Sequence, residues 1–419
     1  MKKGISIDGG RLLRELFALA AITDAEAVKN GRAVTRIVFS KRDLEARAWL
    51  KSLAAAEGFS VREDAVGNTY IRMDGLEPEL PAVATGSHTD AIPHAGMYDG
   101  TVGVLGGLEA MRALKRSGVP LRRSVELVIF TSEEPTRFGI GCLGSRLMGG
   151  VLDPGTADEL RDRDGQTLAE VRSRAGFAGD LRSVRLPRGH YDGWVELHIE
   201  QGPLLERDGL PIGVVTEIAA PAAYRFSIEG FGGHAGALLM PDRRDALCAA
   251  AELILAVEAS ALATGAIDTV ATVGTCEVHP GAVNSVPSRV ALALDIRDTD
   301  PDRRESVMAG IRRLIAGIES RRGVRLREEK VNADLPAKSS AEIVDLIEGA
   351  CAELGAESRR MVSRAYHDSL FLAQVAPIAM IFIPCRGGVS HRPDEFAEAS
   401  YIVLGAQVLA ATLARLASR

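Results

Sequence analysis

Three apolar runs in this chain end abruptly in histidine or acid. Ser124–Thr131 (SVELVIFT) stops at Ser132-Glu133-Glu134-Pro135, Gly193–Ile199 (GWVELHI) stops at Glu200-Gln201-Gly202, and Pro81–Thr85 gives way to Gly86-Ser87-His88-Thr89-Asp90. A continuous apolar run has no solvent face, so such strands must be buried on both sides, as parallel strands covered by helices are. Polar residues discharged at their carboxyl ends put a ligand site at one open edge of an α/β sheet.

Helix signals alternate with these runs. Ser40 followed by Asp43 opens a helix through Trp49, Leu50 and Leu53 that should stop at Gly58, and Val66-Gly67-Asn68 then joins two short strands. From about residue 217 the rhythm changes to strand Tyr224–Glu229, helix Asp242–Ala263, strands Thr269–Val278 and Val290–Arg297, helix Arg303–Ser320 and strand Val324–Glu329. That β-α-β-β-α-β order is the split βαβ layout of a ferredoxin-like domain. After Pro336 the earlier alternation resumes, with a helix at 340–354, strand Ile378–Ile383 and a helix at 399–416. The expectation is therefore an α/β domain formed by 1–216 and 332–419, interrupted by an inserted α+β domain at 217–331. A length of 419 residues suits two such domains.

Composition removes several function classes. A net charge of −6 without a Lys/Arg run leaves no electrostatic footprint for nucleic acid. Cysteines at 142, 248, 276, 351 and 385, with no C-x-x-C, fit free thiols in a reducing compartment. Lys2 and Lys3 precede an apolar stretch from Leu12 to Ile22, but Arg14 and Glu15 interrupt it, so it reads as an amphipathic helix and not a signal segment. No other window is expected to reach a transmembrane length, which points to a cytoplasmic protein without a membrane partner.

The residues at the strand ends carry the chemistry. In an extended segment His88 and Asp90 point to the same side, and a carboxylate beside an imidazole can fix its tautomer. Asp99 follows, among glycines at 86, 96, 100 and 103 that fit a sharply bent loop. Adjacent acids such as Glu133 and Glu134 resist burial unless a cation or shared proton offsets the cost, so one suits a metal ligand and the other a general base. Taken singly, each feature also fits a solvated turn. Together with His198 and His391 they supply three imidazoles and two carboxylates without sulfur, a set for borderline divalent metals. Five ligands exceed what one catalytic metal with an open position needs, but suffice for two metals sharing a carboxylate. No G-x-S-x-G elbow, phosphate loop, H-E-x-x-H helix or dinucleotide fingerprint competes with this reading.

Six ordered segments, GSHTDAIPHAGMYDG, TSEEPTRFGIGCLGSR, ELHIEQGPLLERDG, GFGGHAG, HPGAVNSVPSR and GGVSHRPDEF, resemble the dinuclear-metal amidohydrolases of the aminoacylase and carboxypeptidase G clan. The resemblance covers essentially the whole chain. Within the clan it points to the hydantoinase/carbamoylase-type amidases, and EEPTRFG at 133–139 and SRAYHDS at 363–369 look most like the ureidoglycolate amidohydrolase branch. It implies that His88 and His198 bind one metal, Glu134 and His391 the other, and that Asp99 bridges them. Asp90 would orient His88, and Glu133 would be the general base. The inserted domain would serve dimerisation and as a lid, with His234 reaching the partner's active site to stabilise an oxyanion. Asn284 and Arg297 would hold the substrate carboxylate, with Gln201, Tyr366 and His367 as further contacts. On the residues alone, Arg297 could equally pair with Asp295 or Asp298, and Asn284 could be a turn residue. The implied activity is hydrolysis of the C–N bond of a small ureido acid by a homodimer carrying two divalent ions, Mn or Zn, per subunit. N-carbamoyl-L-amino-acid or allantoate hydrolysis are the nearer alternatives; a dipeptidase or a non-catalytic binding protein of the same fold are the remoter ones. His94, His190 and His279 receive no role.

Overall fold

The computed structural model describes residues 4–419, so Lys2 and Lys3 lie outside the described residues. The chain divides into two units. One comprises residues up to Thr216 with Lys338–Ser363 and His367–Arg419; the other comprises Glu217–Ala337 with Arg364–Tyr366. The second unit thus extends beyond the expected limit at 331. The reason is that strand Arg325–Ala333 continues past Glu329 and still pairs with strand Ala220–Glu229 at Ala333 opposite Ala222.

The first unit is built on a mixed nine-stranded sheet. Four strands at its centre run in parallel, in the order Ile378–Ile383, Tyr191–Ile199, Ala82–His88 and Val125–Phe130. Ile212–Ile218 flanks them antiparallel on one side, and Thr69–Met73 followed by Ser60–Glu63 does so on the other. The central strands Ala82–His88, Val125–Phe130 and Ile378–Ile383 are buried along their whole length, which is why they carry almost no solvent-side residues. Helices Gly9–Ala20, Lys41–Ala56, Thr101–Ser117 and Ala341–Glu353 supply apolar faces to this core, together with Ala399–Ala417. Ser40 caps the second of these by accepting the Asp43 N–H, while the Asp43 carboxylate accepts the Phe39 N–H.

Two sequence expectations change here. Gly86 and Gly103 do not belong to a bent loop. Gly86 lies within strand Ala82–His88, where a Cβ would fall 2.1 Å from the Val128 carbonyl, and Gly103 lies in helix Thr101–Ser117, 2.4 Å from the Leu197 carbonyl by the same construction. Both let backbone pack against backbone. Secondly, helix Ala399–Ala417 is long and apolar enough to cross a membrane, although no such window was expected. Ile402, Val408, Leu409, Leu413 and Leu416 are buried in the core, so its apolarity reflects packing on several sides.

In the second unit the four-stranded sheet runs Val270–His279, Arg289–Asp298, Ala220–Glu229, Arg325–Ala333, with every neighbour antiparallel. Helices Ala246–Leu262 and Pro301–Arg322 share one apolar core with it, including Tyr224, Phe226, Leu253, Leu292, Met308 and Ile311. Asp245 and Asp300 cap these helices, and Pro301 occupies the first turn of the second, where its missing N–H costs nothing.

Candidate metal centre

The carboxyl ends of the four parallel strands converge on one group of side chains. His88 closes its strand opposite Phe130, and the next strand turns through Ser132, at φ 56°, into Glu133-Glu134. His198 lies opposite Phe382, and the segment after that strand leads to His391 at φ 59°. Asp99 comes from the loop before helix Thr101–Ser117. There Gly100 has φ 66°, and a Cβ would meet the His88 ring at 2.5 Å, so only glycine lets the loop close over the imidazole.

Asp99 divides its two oxygens between two sets of partners. Oδ1 lies 3.4 Å from His88 Nε2 and 3.2 Å from His198 Nε2. Oδ2 lies 3.3 Å from His391 Nε2, which is itself 3.3 Å from Glu134 Oε1. The structure thus contains the groups His88–Asp99–His198 and Asp99–Glu134–His391, each compact enough to hold one ion and joined by a single carboxylate. His88, His198, Asp99 and Glu134 are buried, whereas the His391 side chain is 45% exposed, which makes its side of the cluster the open one.

The electrostatics fit a cation. Burial alone would lower the proton affinity of His88, but Glu133, Asp99 and Asp90 outweigh it and hold the imidazole well above its ordinary range. His198 is likewise raised, with Asp99 overcoming burial. Hydrogen bonds to Asp99 and Glu134 lift His391 to about 11. Burial pushes Asp99 up, yet the three imidazoles hold it well below the usual carboxylate range. The raised proton affinity of these rings marks a place that suits a cation, and three imidazoles with two carboxylates and no thiolate form an appropriate donor set.

Glu133 stands beside the shared carboxylate without belonging to either group. Its Oε2 is 3.7 Å from His88 Nε2, and its Oε1 accepts from Cys142 Sγ at 3.4 Å. Burial and the nearby Glu134, Asp368 and Asp99 carboxylates raise its proton affinity well above the usual range, which suits a group that must take a proton. Asp90 is engaged differently from the sequence expectation. His88 Nδ1 lies 3.0 Å from the Asp90 carbonyl and 3.8 Å from its carboxylate, while the carboxylate accepts the N–H groups of Glu133 (3.2 Å) and Glu134 (3.0 Å). Asp90 therefore fixes the backbone of the acid pair as well as the imidazole. Burial lifts its carboxyl to about 6.

Other expected residues fall elsewhere. Gln201 Nε2 donates to Asp99 Oδ2 at 2.7 Å, while its buried Oε1 has no hydrogen-bond partner among the described residues. His367, expected to touch substrate, is only 3% exposed; its Nε2 lies 3.1 Å from Ser363 Oγ and its ring packs 4.5 Å from that of His198. It supports a ligand from within the core. Glu196, His198 and His367 also lie close enough to hold an ion, but Ser87 and Ser369 already donate to Glu196, at 2.9 and 2.5 Å. In the second unit, exposed His234 pairs with Ser285 in a two-stranded ribbon, and the Asn284 carbonyl accepts the Ala235 N–H, so these two segments sit side by side. Arg297 pairs with Asp295 at 2.9 Å and lies over the Tyr366 ring at 5.3 Å. Ser390 and Glu395, which also contact Asp99, were not singled out from the sequence; their nearness to His391 was the only signal available.

A mixed-sheet α/β unit whose parallel strands deliver a histidine–carboxylate centre defines a metallohydrolase class. The sequence model of peptidase family M20/M25/M40 matches residues 84–415, and the chain belongs to that family. Ureidoglycolate hydrolase of Arabidopsis thaliana is 50% identical over 423 residues, spanning 99% of this chain and 88% of its own. N-carbamoyl-L-amino acid amidohydrolase of Geobacillus stearothermophilus is 39% identical over 413 residues, spanning 98% and 99%. Crystal structures of AtUAH in complex with glyoxylate and with (S)-hydroxyglycine superpose with a TM-score of 0.90 at 49% identity, covering 98% of both chains.

Proposed function

We propose that this protein is a metal-dependent amidohydrolase that hydrolyses the ureido C–N bond of ureidoglycolate. The observation that carries the reading is Asp99, one carboxylate shared by two ligand groups with the unligated Glu133 beside it. The choice of substrate rests on the 50% identity to a ureidoglycolate hydrolase and on the glyoxylate and (S)-hydroxyglycine complexes of a relative with the same fold.

His88, His198 and Asp99 would hold one ion, and Asp99, Glu134 and His391 a second, Mn or Zn. Divalent ions there would acidify a water and polarise a carbonyl. Glu133 takes the proton of the attacking water on a carboxylate oxygen and returns it to the leaving nitrogen as the C–N bond breaks. Asp90 keeps Glu133 and Glu134 in register through their N–H groups. His234, contributed to a partner subunit's site in a homodimer, meets the negative charge developing on the attacked carbonyl oxygen. Arg297 and Asn284 hold the substrate carboxylate, for which Arg297 must exchange its Asp295 partner. The carbamate formed breaks down to ammonia and carbon dioxide, and hydroxyglycine loses a second ammonia to give glyoxylate. A cytoplasmic location accords with the five free cysteines.

The test is a panel of ureidoglycolate, N-carbamoyl-L-amino acids, allantoate and dipeptides, offered to metal-stripped protein reloaded with Mn or Zn, with ammonia or released amino acid measured. Ureidoglycolate should give the highest kcat/KM. A carbamoyl amino acid in first place would establish the carbamoylase reading, which the 39% identity to such an enzyme favours next.

A further inference from the structure

Glu395 is a buried acid that none of the chemistry above uses. It is 4% exposed, and its Oε1 accepts two backbone N–H groups, those of Tyr98 at 2.8 Å and Asp99 at 3.1 Å. Its Oε2 contacts Ser390 Oγ at 3.0 Å, and the same hydroxyl lies 2.7 Å from Asp99 Oδ2. One side chain thus reaches Asp99 twice, at its backbone and, through the Ser390 hydroxyl whose single proton the two carboxylates share, at the oxygen that faces His391 and Glu134. The loop is shaped to receive it: a Cβ on Gly96 would fall 2.3 Å from Glu395 Cβ and 2.4 Å from its Oε1. Glu395 also belongs to the same segment as His391, turning back on it through its own N–H to the Arg392 carbonyl at 3.0 Å.

Asp99 must present its oxygens in opposite directions to serve both groups, and a carboxylate at the start of a helix has freedom to rotate unless something holds it. We propose that Glu395 is a positioning residue that orients the shared carboxylate Asp99 and ties it to the His391 segment, so that it governs the Asp99–Glu134–His391 position more strongly than the His88–Asp99–His198 position. This rests on the proposed two-ion reading. The asymmetry follows from the contacts. The Ser390 leg reaches only Oδ2, and His391 and Asp99 are both carried on segments Glu395 joins, whereas Glu395 makes no hydrogen bond to His88, His198 or their strands among the described residues.

The experiment is calorimetric titration of metal-stripped protein with MnCl2, comparing wild type with Glu395→Ala, Glu395→Gln and Ser390→Ala, with circular dichroism on each. Wild type should take up two ions per chain. Glu395→Ala should weaken one binding step 10- to 100-fold, the range for losing a residue that orients a ligand, and leave the other within about threefold. Glu395→Gln should bind at least as tightly as wild type, because its carbonyl still accepts the two N–H groups and its amide donates to Ser390, leaving the single hydroxyl proton to Asp99. Should Glu395→Ala fail to fold, Ser390→Ala cuts only the side-chain leg and must weaken the same single step. Two unchanged steps in Glu395→Ala, equal weakening of both in a folded variant, no rescue by glutamine, or an unchanged Ser390→Ala would each overturn the proposal. Uptake of a single ion by wild type would instead overturn the two-ion reading beneath it.

Discussion

Replacing Glu133 with glutamine separates the proposed proton transfer from everything else the site does. Glutamine has nearly the same shape, so it fits the buried space between His88 Nε2, 3.7 Å away, and Cys142 Sγ, 3.4 Å away. None of the five residues in the two ligand groups is altered. What is lost is a carboxylate able to take a proton, a role that contributes about 10²–10⁴-fold in rate. At 1.36 kcal/mol per decade this is roughly 3–5 kcal/mol on the barrier. The expected result is a kcat lower by that factor, a KM close to wild type, and near-normal metal content at saturating metal. Ammonia release from ureidoglycolate gives the kinetics, and elemental analysis of the desalted protein gives the metal. A variant that retains full metal and a kcat within tenfold of wild type would refute Glu133 as the base.

Other consequences follow from the same geometry. The three imidazoles are raised, His391 to about 11, so at neutral pH the ion-free cluster holds protons that an incoming cation must expel. Metal affinity should therefore rise with pH, and titration in buffers of different ionisation enthalpy should show net proton release; a pH-independent affinity would contradict this. Gly100→Ala would both strain φ 66° and press a methyl into the His88 ring, costing about 1–3 kcal/mol and depleting metal. Thermal melting and metal analysis test it, and an unchanged melting temperature with full metal would count against the close approach. Finally, mixing inactive His234→Ala with inactive Glu133→Gln subunits should restore part of the activity if His234 serves a partner's site. Failure of rescue despite demonstrated subunit exchange would remove that role.

Much of this architecture was readable in the sequence where a local pattern carried it. Strand Ile378–Ile383 keeps the bounds of its apolar run, and the helix expected at Arg303–Ser320 spans Pro301–Arg322. His88, Glu134 and His198 each fit a solvated turn or a structural role when taken singly, and stood out only as a set at the ends of apolar runs. Residues whose meaning depends on distant partners were opaque. Glu395 touches the Asp99 backbone across 296 residues of sequence, and Ser390 touches its carboxylate across 291. The resemblance puts His367 among the substrate contacts, and only the fold reveals that its ring is packed against His198. Gly86 and Gly103 were read as loop residues because a missing side chain signals both a turn and a close approach, and periodicity does not distinguish them.

The central claim is that Asp99 joins two ion positions. Anomalous diffraction from crystals grown with Mn or Zn tests it directly. Two peaks per chain are predicted, one within about 2.0–2.2 Å of His88, His198 and one Asp99 oxygen, the other equally close to His391, Glu134 and the second Asp99 oxygen. A single peak, or a pair that leaves Asp99 unshared, would contradict it.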